Sequence, residues 1–119
     1  MPASDHAIKI AKIAAQAAFD KKAQHITLLD VSEQLVITDI FVIASAANEP
    51  QVSAIVDAVE ESLAKLDIKP IRREGEREGK WVLLDYFEIV VHIQQEQERT
   101  LYDLERLWRD CPQIPVELT

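Results

Sequence analysis

WVLLDYFEIVVHI, residues Trp81 to Ile93, decides the fold. Two short apolar runs rich in β-branched and aromatic residues meet at Phe87-Glu88, the pattern of a β-hairpin with its tip at those two residues. Strand alternation then places Val82, Leu84, Tyr86, Ile89, Val91 and Ile93 on one face, which is core-like throughout. The opposite face collects Trp81, Leu83, Asp85, Val90, His92 and Gln94. That mixture suits a surface that is wet in the free protein and covered in a complex.

Asp85 and His92 are diagonal neighbours on that face, so a catalytic dyad is one reading. It would need a nucleophile beside the imidazole and donors for an oxyanion, yet the hairpin holds no serine or cysteine. A plain solvated pair is a second reading. An interaction face is favoured, because a Trp flanked by an acid and aliphatic residues has the composition of binding hot spots.

Outward from the hairpin, Ser4 is placed to cap a helix in which Ala7, Ile10, Ala11, Ala14, Ala17 and Ala18 recur at helical spacing up to about Phe19. The alanines suit close packing on a sheet. Ile26–Val31 and Ile40–Ser45 read as two central strands, with Ser32-Glu33-Gln34 as turn chemistry between them. Asn48, Pro50 and Gln51 open a second helix with capping-box spacing, and Val52, Ile55, Val56, Val59, Leu63 and Leu66 form its apolar stripe. Pro70 ends that pattern, Ile71–Arg73 makes at most a short edge strand, and residues 74–79 form a charged loop. After the hairpin, Leu101, Leu104, Leu107 and Trp108 predict one last helix ending near Pro112. The order is α-β-β-α-β-β-β-α, a mixed α/β domain over residues 1–112 with a loose tail at 113–119.

With 119 residues, 48% hydrophobic and 29% charged, the chain suits a single globular core. A net charge of −8 argues against broad contact with nucleic-acid phosphates and is easier to reconcile with a basic protein partner. Cys111 is the only cysteine, apolar runs are too short for a membrane helix, and the N-terminus lacks a secretory pattern; a cytoplasmic setting is expected. His6, His25 and His92 show no zinc spacing, Gly75 and Gly79 do not open a helix after a strand, and no Asp-x-Asp occurs. No metal or other cofactor is expected.

Several blocks in order resemble the ribosomal silencing factors, the Iojap-like family: Asp30-Val31-Ser32, Asp39 to Ala44, Asn48 with Gln51-Val52, Trp81 to Tyr86, Val90-Val91-His92, and Tyr102 to Glu105 with Leu107-Trp108. The resemblance implies a nucleotidyltransferase-like mixed sheet of about five strands with helices packed on it. It also implies docking on the large ribosomal subunit through ribosomal protein fourteen at the intersubunit face, which blocks subunit joining and represses translation when nutrients are scarce. Such proteins usually carry Gly-Asp where this chain has Phe87-Glu88, so the tight positive-φ turn is expected to give way to another geometry.

The expected function is therefore non-enzymatic steric occlusion. Trp81, Leu83, Asp85 and His92 are the partner contacts, with Tyr86 a further candidate from the motif although it points to the core face. Two other readings stand beside it: a nucleotide-dependent transferase, and a self-associating module that is a homodimer when free.

Overall fold

In the computed structural model, which describes residues 2–119, the Ser4 hydroxyl accepts the amide of Ala7 at 3.0 Å and starts α1 (Asp5–Asp20). The chain then forms β1 (Gln24–Asp30), β2 (Ile40–Ala46), α2 (Glu49–Ala64), β3 (Arg72–Glu74), β4 (Trp81–Asp85), β5 (Ile89–Gln95), α3 (Glu96–Tyr102) and α4 (Leu104–Leu107). The five strands make one mixed sheet in the order β1-β2-β5-β4-β3. Only the β2–β5 pair is parallel, with Ile43 beside His92. β1 is thus an edge strand and not the central one that its apolar run predicts.

Both long helices pack on one face of the sheet, where Val82, Leu84, Tyr86, Ile89, Val91 and Ile93 meet the stripe Val52, Ile55, Val56, Val59 and Leu63. Leu66 falls beyond α2 and stays exposed. Asn48 accepts the amide of Gln51 at 2.9 Å, while the Gln51 side chain accepts from Ala47 and donates to the carbonyls of Lys21 and Lys22. Asn48 therefore caps α2, and Gln51 ties its start to the end of α1.

The last helix is divided. Asp103 takes a left-handed conformation (φ 43°), so α4 leaves at a new angle, burying Leu104 but leaving Leu101 and Leu107 about 70% exposed (71% and 72%). The single stripe read through these leucines does not form. Nor are residues 113–119 loose: Gln113 bridges Leu29, the Ile114 amide donates to Leu28 at 2.8 Å, and Ile114, Val116 and Leu118 pack on the main core. No helix among the described residues is long and apolar enough to cross a membrane.

Candidate interaction face

β4 alternates half-buried and buried along Trp81-Val82-Leu83-Leu84-Asp85, the facing expected from its sequence. In the antiparallel register Trp81 lies beside Gln94, Leu83 beside His92 and Asp85 beside Val90. With Leu29, Phe41 and Ile43 of the neighbouring strands, these side chains make up the sheet face opposite the long helices.

That face is only partly open. α3, α4 and the segment after them cover it with Leu104, Trp108 and Cys111, building a second, smaller core on Leu29, Val31, Phe41, Ile43 and Val90. An aromatic cluster holds the cover down. Trp81 lies 4.8 Å from the Tyr102 ring and 5.9 Å from His92, while Phe41 packs edge-on against both His92 and Trp108. The face expected to be wet in the free protein is wet only in part: half of it is covered by the chain's own C-terminal helices.

Arg99 seats α3 on the sheet. Its Nε donates to Glu105 at 3.0 Å, Nη1 to the Ser45 hydroxyl at 2.9 Å and Nη2 to the Thr27 hydroxyl at 3.2 Å; Thr27 in turn donates to Glu105 at 3.0 Å. Burial pushes the Glu105 carboxyl up, but the hydrogen bond and charge of Arg99 outweigh it, and the group sits below the usual carboxylate range. Sequence reasoning missed this network, because no local pattern links residues 27, 45, 99 and 105.

His92 is 4% exposed. Its Nδ1 accepts the indole N–H of Trp81 at 3.2 Å. Burial, reinforced by the Arg99 charge, pushes its pKa down to about 4, so the ring is neutral near pH 7, and it lies beneath the face and not on it as the strand pattern suggests. Tyr86 is also buried, on the main core face; burial first, with nearby Glu60 adding and Arg73 opposing, raises its hydroxyl far above the ordinary range. It too lies in the interior of the free chain. His92 positions Trp81, and Tyr86 fills the core.

Trp81, Leu83 and Asp85 remain at the open rim, each half-buried. Asp85 is already engaged: one oxygen meets Arg72 at 3.3 Å and the other accepts the Phe87 amide at 2.9 Å. No dyad exists, since the hydrogen bonds of Asp85 and those of His92 run to different partners. Among the described residues no group of three or more His, Cys, Asp or Glu is arranged to hold a metal ion.

Comparison with known proteins matches residues 4–119 to the family described as "Ribosomal silencing factor during starvation". The chain is 38% identical over 103 residues to ribosomal silencing factor RsfS of Bacillus subtilis, covering 87% of each chain. It is 34% identical over 109 residues to the RsfS of Halalkalibacterium halodurans, covering 92% of this chain and 93% of that one. A crystal structure of a Chromobacterium violaceum protein superposes with a TM-score of 0.83 at 30% identity, covering 94% of this chain and 92% of the other.

Proposed function

Because the chain belongs to the family of ribosomal silencing factors, we propose that it represses translation by docking on the intersubunit face of the large ribosomal subunit and blocking subunit joining. Ribosomal protein fourteen is the contact on this reading, the protein works in the cytoplasm, and the action is steric and involves no catalysis. The observation that carries the surface is the rim of β4. There Trp81 is half-exposed, held by the His92 hydrogen bond and the Tyr102 ring, with Leu83 and Asp85 on the same face. A pre-oriented aromatic anchor loses little side-chain entropy on binding. Leu83 adds apolar area, and Asp85 exchanges Arg72 for a cation of the basic partner.

Sedimentation with purified large subunits, small subunits and intact ribosomes tests the reading. The chain is expected to travel with large subunits only, and to lower the yield of intact ribosomes when subunits are mixed. Trp81→Ala and Leu83→Ser should remain folded by melting temperature, with Trp81→Ala weakening large-subunit binding about 30-fold, or ~2 kcal/mol. Equal binding to both subunits, or full binding by both folded variants, would sink the proposal.

A further inference from the structure

The hairpin tip is built around a conformation that its central residue resists. Phe87 has φ +74°, and Glu88 donates to the Tyr86 carbonyl at 2.9 Å across it, a γ-turn with a left-handed centre. A side chain with a Cβ is strained there, and glycine would not be. Nothing in the free fold offsets the strain through burial, because Phe87 is 52% exposed.

The tip is nevertheless held from several directions. Tyr86 donates to Ile89, Asp85 accepts the Phe87 amide, the Glu88 carbonyl accepts from Asp39 and Ile40, and the Glu88 carboxylate meets His6 at 2.8 Å. The same bonds bring further apolar groups to this end of the sheet. Ile37 lies two residues before Asp39, beside the exposed Val36, and Ile71 donates its amide to Asp85; all three side chains project into solvent. Around them acids outnumber cations, although Arg72 and Arg73 follow Ile71 directly. Residues 23–64 and 81–98 contain no lysine or arginine, and Asp39, Asp85 and Glu88 lie at the tip itself. Arg72, whose guanidinium reaches it, pairs with Asp85, and the His6 ring meets Glu88.

Strain left unrelieved at a rigid, exposed position marks a functional feature more often than a packing one. We infer that Phe87, with Ile37, Val36 and Ile71 around it, is a second docking anchor, and that it enters an apolar pocket on a basic protein of the large subunit. A carboxylate rim around an apolar centre fits a protein surface rich in lysine and arginine and repels RNA phosphate. The inference rests on the docking proposed above, and it places a contact at the opposite end of β4 from Trp81.

Phe87→Gly and Phe87→Asn separate the anchor from the turn, since both residues accept a positive φ without the aromatic ring. Both variants are expected to melt at or above the wild-type temperature and to cosediment with purified large subunits at least tenfold more weakly. Binding within twofold of wild type, while Trp81→Ala is weakened, overturns the anchor and leaves the docking intact. A wild-type chain that does not cosediment overturns both. A marked loss of melting temperature in either variant shows that the fold itself needs the ring, and overturns the inference. Retention of the wild type by deproteinised large-subunit RNA, but not by the isolated large-subunit proteins, assigns the tip to nucleic acid and overturns it too. So does a concentration-dependent dimer that Phe87→Gly abolishes, which would make the occupant a second copy of the chain.

Discussion

His92 shows how one side chain changes role between sequence and structure. On the strand pattern it shares a face with Trp81 and Asp85, and so passes for a surface group; in the fold it lies under Phe41 and accepts the indole proton of Trp81. Burial first, and the Arg99 charge second, lower its pKa from 6.5 to about 4. The folded state therefore binds its proton less readily than the unfolded state, and the stability tied to neutral His92 is present above pH 6.5 and lost as pH falls toward 4. That interval corresponds to roughly 3 kcal/mol. Urea midpoints between pH 7 and pH 4.5 should fall steeply for the wild type and less for His92→Gln, and identical slopes would show that His92 is not the titrating group.

At the level of elements, α3 illustrates a helix held by tertiary contacts and not by its own propensity. Seven residues with no side-chain cap are too few to be stable alone. The Arg99 network supplies what the helix lacks. Arg99→Ala would take one partner each from Glu105, Thr27 and Ser45 at a partly buried site, at a cost of about 2 kcal/mol. Arg99→Lys should restore little of this, because an ammonium cannot serve three separate acceptors from the geometry of a guanidinium fork. Denaturant unfolding measures the loss, and near-UV circular dichroism reports release of Tyr102 from Trp81. A loss below ~1 kcal/mol would mean that the aromatic cluster alone seats α3.

At the scale of the whole molecule, residues 113–119 join the C-terminus to both the sheet edge and α1. Gln113 and Ile114 extend the pairing at β1, and Thr119 exchanges hydrogen bonds with the Gln16 side chain. Ile114, Val116 and Leu118 alternate with Pro115 and Glu117, a period-two signal present in the sequence but spread over too few residues to stand out. Removing 113–119 should lower stability by about 2–4 kcal/mol through loss of three partly buried apolar side chains. A urea midpoint unchanged by the truncation would show that the strap contributes nothing.

Local spacing of residues accounts for the caps at Ser4 and Asn48, the stripe of α2, the hairpin tip and the two faces of β4. Each depends on spacing within a few residues, and the family blocks add the mixed sheet around them. Packing across the whole chain sets β1 at an edge, divides the last helix at Asp103, holds Phe87 in the positive φ expected to give way, and covers His92. Alternation along a strand assigns a side chain to a face but carries no information about what packs there. The cover over His92 comes from Arg99 reaching Thr27 and Ser45, 72 and 54 residues away in sequence, and from the contact of the Trp81 and Tyr102 rings. Such long-range contacts exist only once the chain has closed on itself.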